Sequence, residues 1–271
     1  FPLRDFGFHS LKSVHVMTEI EKLSFADRAK HLGDPDFYNV PKNSLIDSSY
    51  LLKRSNKINM NSTISSTAIY AGKFNLKESE ETTHFSIVDE YGNASSLTTT
   101  LNGSFGSGII VDGAGFLLNN EMDDFSIQPG YPNMYGLIGG EANAVESSKR
   151  MLSSMTPTVL EKDGNLFMVL GTPGGSTIIT AVFQTIINVI DYDMNIEQAV
   201  NSPRFHHQWY PDEIKLEKDI AKDSNLIIQL KTMNHKLNFV SSMNRVDAIL
   251  VKKNKYFGGA DNRGDDHVSF F

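Results

Sequence analysis

The chain has 271 residues, 40% of them hydrophobic, and a net charge of −7. That is enough for one large domain, or a domain with an arm, and the acidic balance argues against a nucleic-acid partner. It holds no cysteine, which excludes disulfides, thiolate metal sites and a cysteine nucleophile.

The first strong signal is the apolar stripe Leu11, Val14, Met17, Ile20 and Leu23, which predicts a helix from Ser10 to Leu32 ending before Gly33-Asp34-Pro35. Phe1 to Phe8 lacks the hydrophobic segment of a secretory signal. Starting without an initiator Met, the chain is expected to be a fragment or a processed product. A second, shorter helix is expected over 44–58, and residues 59–81 read as linker. After Thr82 the pattern turns to strands. Residues 84–90 and 93–101 alternate around Tyr91-Gly92, and 156–162 and 166–170 flank Asp163-Gly164-Asn165, where Asp-Gly suits a type I′ hairpin. Residues 176–192 predict a helix apolar nearly all round, buried between layers and too short at 178–190 to span a bilayer. Asn195 caps a short helix that stops before Pro203. A further helix is expected at 224–234, and Asp247–Lys252 pairs with Lys255–Gly258. Strands followed by buried helices suggest a layered sandwich with helices outside.

Glu81-Thr82-Thr83-His84 sets two hydroxyls at the mouth of a strand, behind a polar connector. A chain-internal threonine is a weak nucleophile. Once the peptide bond before it is cut, the freed α-amine can serve as its general base. Alone, the pair is also what β-propensity places at a strand start. Asn119 to Phe125 gathers acids and amides: Glu121 and Asp124 could grip a substrate ammonium, hold a metal, or form an acidic surface turn. Ser153-Ser154 could bind a carboxylate through hydroxyls and backbone N–H groups, or serve as a polar strand entry. Thr172-Pro173-Gly174-Gly175-Ser176 joins strand to helix, where adjacent glycines aim N–H groups at an anion or a developing oxyanion, or make only a tight turn. It lacks the lysine of a phosphate-binding loop. His206 and His207, beside Trp209, have no third partner at suitable spacing and read as structural. Taken together, the set supplies a nucleophile, an ammonium clamp, a carboxylate site and an oxyanion hole, the parts of an acyl transfer from an amino-acid-like donor.

In this order the residues closely resemble the γ-glutamyltranspeptidase family. The likeness runs through Ala26-Asp27-Arg28, Leu32 to Phe37, Thr82 to Ser86, Asn119 to Phe125, Leu152 to Pro157, Pro173 to Ser176 and Pro203 to Trp209. The resemblance implies an α+β fold of the N-terminal-nucleophile hydrolase type, a four-layer αββα sandwich. It also implies a precursor that cuts itself between Glu81 and Thr82. Residues 1–81 would then be the C-terminal part of the large subunit, and 82–271 the small subunit. Thr82 would be the nucleophile, with Thr100 hydrogen-bonding its amine or hydroxyl. Asn102, Glu121 and Asp124 would hold the α-amino end of the donor, Ser153 and Ser154 its α-carboxylate, and Gly174 and Gly175 would form the oxyanion hole. Pro129 to Gly140, with Tyr135 near its middle, resembles a lid loop that poly-γ-glutamate-degrading relatives lack.

Two positions depart from the family pattern. Met151 stands where a proline is usual, and Thr177 where an arginine often follows Gly-Gly-Ser. The family's carboxylate-binding arginine belongs to an earlier stretch of the large subunit, absent from this sequence. The implied reaction is γ-glutamyl transfer from glutathione or glutamine to water, an amino acid or a peptide, with no cofactor and no metal. The implied partners are those substrates and the rest of the large subunit, with no nucleic acid and no membrane span. The implied location is the periplasm or the exterior. The alternatives are an acylase or poly-γ-glutamate depolymerase on the same scaffold, or an inactive truncated binding module.

Overall fold

The structure is a computed structural model that describes residues 1–72 and 84–270. Thr82 and the Glu81–Thr82 bond lie outside the described residues. A turn of helix, α1 (Leu3–Phe6), precedes α2 (Leu11–His31), whose cap Ser10 accepts from Ser13 N. Arg28 and Lys30 in its last turn complement the helix dipole. The helix expected over 44–58 is two: α3 (Lys42–Leu45) and α4 (Ser48–Ser55). The break falls at Asp47, which is extended and spends its carboxylate on capping Tyr50 N. From there the order is β1 (His84–Val88), β2 (Ala94–Thr98), β3 (Thr158–Lys162), β4 (Asn165–Gly171), α5 (Ile178–Ile190) and α6 (Ile196–Asn201). Next come β5 (Phe205–His206), β6 (Ile214–Glu217), α7 (Ser224–Thr232), β7 (Leu237–Val240), β8 (Asp247–Lys252) and β9 (Lys255–Gly259).

The chain folds into two compact units, each drawn from three stretches. The first takes residues 1–80, 120–153 and 205–240; the second takes 81–119, 154–204 and 241–271. In the second unit β3-β4-β8-β9 form an antiparallel sheet. Met168 and Leu170 of β4 and Ala248 and Leu250 of β8 pack with Ile178, Ala181 and Val182 of α5 and Val200 of α6 into one core. Alternation along β4 turns Val169 to the other face, where it is equally buried. The β1–β2 hairpin packs against β4 and β8, and Ser96 Oγ donates to Leu170 O at 3.0 Å. The β3–β4 turn has Asp163 at φ 55° and Gly164 at φ 76°, as a type I′ hairpin requires. The α6 capping box pairs Asn195 with Gln198.

In the first unit α2 is the central element, and it buries polar groups as well as its apolar stripe. Glu19, Lys22 and His15 are all fully buried. Leu23 and Ala26 pack with Ile69 and, at the edge, Ile58, Ile64 and Trp209. β5, β6 and β7 form a three-stranded sheet in which β6 and β7 run parallel.

Candidate active site

Within the first unit the acidic motif folds as a short 3-10 turn, Glu121–Asp124, with Asp124 only 7% exposed. Burial raises the pKa of the Glu121 carboxyl above its ordinary value. Asp123 is turned away from any clamp role: its Oδ2 takes Met134 N at 2.9 Å. The stretch leading to Ser153 is anchored at two points. Asp34, fully buried, accepts from Arg150 N at 2.8 Å and Nε at 2.9 Å, and the Arg150 guanidinium holds its carboxyl well below the usual range. Ser153 O then accepts from Arg28 Nη2 of α2 at 3.2 Å. Ser153 and Ser154 fall on either side of the division between the units, Ser154 being 2% exposed in the second. Met151 makes no change to these ties, which run through the backbone and Arg150.

Residues 129–140 form a closed loop in the same unit. Gly130 N donates to Gly139 O at 2.9 Å, Asn133 N to Leu137 O at 3.0 Å, and Pro132 bridges Ile138. Asn133 Oδ1 takes both Tyr135 N, at 3.0 Å, and Leu137 N, at 3.1 Å. The half-buried Tyr135 is tied by its carbonyl, which accepts from Gln208 Nε2 at 2.9 Å. The glycines at the two ends differ. Gly130 has φ +87° with open space around it, as a hinge needs. At the other end a Cβ on Gly139 would lie 2.0 Å from Ser126 Oγ, and one on Gly140 would lie 3.1 Å from Ala29 O. Gly139 and Gly140 therefore serve close packing.

In the second unit the strand that follows Thr82 is locked to the end of β4. His84 is 7% exposed, its Nδ1 lies 3.0 Å from Thr98 Oγ1 and its Nε2 2.9 Å from Ser86 Oγ. A Cβ on Gly171 would lie 2.3 Å from His84 Nδ1, so only glycine admits the ring. Burial lowers the His84 pKa to about 4, which keeps the ring neutral at physiological pH. Thr100 Oγ1 accepts from Asn102 N at 2.9 Å, and Asn102 sits at φ 68°. Beyond Gly171 the chain turns through Thr172-Pro173 to Gly174, at φ +135°, and Gly175, at φ +61°. Gly175–Thr177 is a 3-10 turn that runs directly into α5. The turn is held by Thr172 Oγ1 to Pro173 O at 2.8 Å, Thr177 Oγ1 to Gly174 O at 2.8 Å, and Asn244 Nδ2 to Pro173 O at 2.9 Å. A rigid glycine turn at the N-terminus of a 13-residue helix is suited to receive negative charge. Thr177 thus has a part in the turn that an arginine would not supply.

The remaining histidines of note are structural. His206 and His207 are buried, His206 Nε2 lies 2.8 Å from Gln208 Oε1, and burial lowers the His206 pKa to about 3. Among the described residues one group, His15, Glu19 and His235, gathers metal-type donors in the first unit. No sequence pattern points to it, because His235 lies 220 residues from His15. His15 Nε2 donates to Asn59 O at 2.8 Å, which leaves Nδ1 to accept from His235 Nε2 at 2.8 Å. Glu19 Oε1 already takes Lys22 Nζ at 2.7 Å and Thr63 Oγ1 at 2.6 Å. Lys22 is the cation of this cluster, and its buried charge disfavours a second one.

The geometry can be set beside known proteins. The family model for gamma-glutamyltranspeptidase matches residues 1–271. The glutathione hydrolase proenzyme of Escherichia coli (strain K12) is 44% identical over 270 residues, 99% of this chain and 46% of that protein. A solved gamma-glutamyltranspeptidase from Pseudomonas nitroreducens, complexed with L-DON, is 46% identical with a TM-score of 0.67, covering 70% of this chain and 100% of that one. A cephalosporin acylase from Bacillus halodurans, at TM-score 0.80 and 22% identity over 98% of this chain and 47% of that one, shows a shared fold alone, with mixed helix and sheet. The chain spans about half the length of the curated relatives it matches. A family model that spans residues 1–271, with a relative 44% identical over 99% of the chain, establishes that the chain belongs to the gamma-glutamyltranspeptidase family.

Proposed function

We propose that this chain is the part of a γ-glutamyl transfer enzyme that carries its nucleophile, Thr82. In self-processing, Thr82 Oγ attacks the Glu81 carbonyl carbon, the Glu81–Thr82 C–N bond breaks, and the Thr82 α-amine is released. Water then resolves the ester to free Glu81 carboxylate and Thr82 hydroxyl. In turnover the same oxygen attacks the γ-carbonyl of glutathione or a related donor, and the new α-amine takes its proton and returns it to the leaving amine. Water, an amino acid or a peptide then takes the acyl group. Thr100 orients the amine or hydroxyl, and the N–H groups of Gly174 and Gly175 receive the oxyanion. Glu121, Asp124 and Asn102 receive the donor α-ammonium, and Ser153 and Ser154 its α-carboxylate. Tyr135 and its loop limit what enters, and the presence of that loop speaks against a polymer-degrading role.

The preformed Pro173-Gly174-Gly175 turn is the observation that carries this reading: both glycines hold positive φ, a conformation open to glycine without strain, directly before α5, which suits backbone N–H groups meant for an oxyanion. The coverage of the solved relative agrees with a cut at Thr82: it takes up 70% of this chain, the share that residues 82–271 represent. Residues 1–81 are accordingly assigned to the end of the large subunit and 82–271 to the small one, in a four-layer αββα sandwich. A periplasmic or exported location follows from the same family reading. Among the described residues no helix is long and apolar enough to cross a membrane.

Mass spectrometry of the full-length protein, with hydrolysis of a γ-glutamyl anilide as the activity readout, tests the proposal. The expected result is two fragments parting before Thr82, and a single inactive chain for Thr82→Ala. Cleavage of the Thr82→Ala protein at the same bond would overturn it.

A further inference from the structure

Between the acidic turn and the serine segment lies a residue that neither motif contains. Asn143, 3% exposed, closes the short turn Glu141–Asn143. Its Nδ2 donates to Asp124 O at 2.6 Å, and its Oδ1 accepts from Leu152 N at 2.9 Å. Its own carbonyl accepts from Ser126 N at 2.8 Å. One planar side chain thus fixes the backbone at Asp124 to the backbone one residue before Ser153. All of these groups belong to the first compact unit.

We propose that Asn143 is a positioning residue for the amino-acid end of the γ-glutamyl donor: it sets the spacing between the carboxylate arm at Asp124 and the serine arm at Ser153. This rests on the donor-site reading above and adds the part that holds its two arms in register. The α-ammonium and α-carboxylate of the donor hang from one carbon, so a clamp that reads both must keep its arms at a fixed separation. A displacement of about 1 Å in such an arrangement can lower the rate about 100-fold. The chemistry of the position is specific. A donor is needed toward Asp124 O and an acceptor toward Leu152 N, and a primary amide carries both at the ends of one rigid plane. A carboxylate would keep only the acceptor, and an aliphatic side chain neither. Arg28 braces the same span from α2, so the segment stays attached when Asn143 is changed.

The test uses the full-length, self-cleaved enzyme and two donors, a γ-glutamyl anilide and its glutaryl counterpart without the α-amino group. Asn143→Ala is the main variant. Asn143→Asp, of nearly equal volume and able to keep the Leu152 bond, serves if the alanine protein does not fold. The preference for the amino-bearing donor, read as the ratio of the two KM values, is expected to shrink about tenfold, the effect of one lost buried hydrogen bond. kcat on the amino-bearing donor should fall further than kcat on the glutaryl donor, which engages the serine arm alone. A merely structural residue would lower the active fraction, and with it kcat for both donors, without moving that ratio. Asp124→Asn is run beside them. If Asp124→Asn collapses the ratio and both Asn143 variants leave it intact, the positioning role is overturned and the donor site stands. If Asp124→Asn also leaves it intact, the donor-site reading falls and this inference falls with it.

Discussion

Asn244 Nδ2 donates to Pro173 O at 2.9 Å, and the same nitrogen lies 2.1 Å from where a Cβ on Gly174 would sit. The side chain that clamps the glycine turn is therefore also what forbids any larger residue in it. Asn244 itself is at φ 64°, a left-handed conformation that asparagine tolerates better than most residues. Gly174→Ala meets both this clash and the strain of φ +135°. With the N–H proposed as oxyanion donor displaced in this way, kcat should fall about 10²–10³-fold, the range seen when such a donor is lost. Adding Asn244→Gly, which keeps the left-handed backbone, should restore part of the lost thermal stability and little of the turnover. Full recovery of kcat in the double variant would show that Gly174 matters only for room.

A second expectation concerns the protonation state of Glu121 in the proposed ammonium clamp. Burial raises the Glu121 pKa, and only the ionised carboxylate attracts a donor ammonium. The acid limb of the kcat/KM profile, which reports the free enzyme, should therefore lie above the usual carboxylate range. Binding weakens as pH falls through the raised pKa. Glu121→Gln should remove that limb and raise KM about tenfold at pH 8, since a charged hydrogen bond becomes a neutral one. A profile that keeps its acid limb in Glu121→Gln would assign the titration to another group.

Much of the fold was legible in the chain, because its signals are local. Asp163-Gly164 names its turn, Asn195 and Gln198 name their capping box, and the β8–β9 pairing stands within one residue of expectation. What escaped were interactions that span distance in sequence. Asn143 reaches 19 residues back to Asp124, Asn244 reaches 71 residues to Pro173, and His15 meets His235 across 220. Such pairs leave no periodicity to read. The two interleaved units escaped for the same reason: each is stitched from three stretches, and the linker composition before Thr82 marks one seam only. The site motifs were found as motifs, yet the groups that hold them in shape were not, since an asparagine that braces a backbone looks like any other asparagine.

The loop at 129–140 should respond to Asn133. Its Oδ1 takes the amides of Tyr135 and Leu137, so Asn133→Ala removes two hydrogen bonds of about 1 kcal/mol each. The loop tip stays tied to Asp123 and Gln208. A loosened but attached loop is expected to admit water and bulkier acyl groups more easily. Proteolysis within 129–140 should quicken about tenfold, and the ratio of hydrolysis to transfer should rise. If the loop becomes protease-sensitive while that ratio and the substrate-size limits hold, the loop has no gating role.

The last expectation is a dependence of stability on pH at the start of β8. Asp247 pairs with Gly171 across the sheet. Burial, with the charges of Asp266 and Asp261 adding to it against Arg245, raises its pKa to about 7. Asp261 behaves oppositely: though buried, it takes Arg204 Nη2 at 2.5 Å and Val246 N at 2.9 Å and stays below the usual range. In the unfolded chain Asp247 titrates near 3.9. Between about pH 4 and 7 the folded protein binds a proton that the unfolded chain does not, so stability falls as pH rises through that window and levels off above it. His84, with its pKa lowered to about 4, gives the opposite slope over an overlapping window. It is common to parent and variant, and cancels in their difference. Asp247→Asn keeps the shape and removes the charge. It should be more stable than the parent above pH 7, by about 1 kcal/mol once partial exposure is allowed for, or about 2–4 °C in Tm. The gap should close as pH falls to 4. Melting curves at pH 4, 6 and 8 would decide the matter, and a gap that stays constant across them would mean that Asp247 is ionised in the folded state throughout.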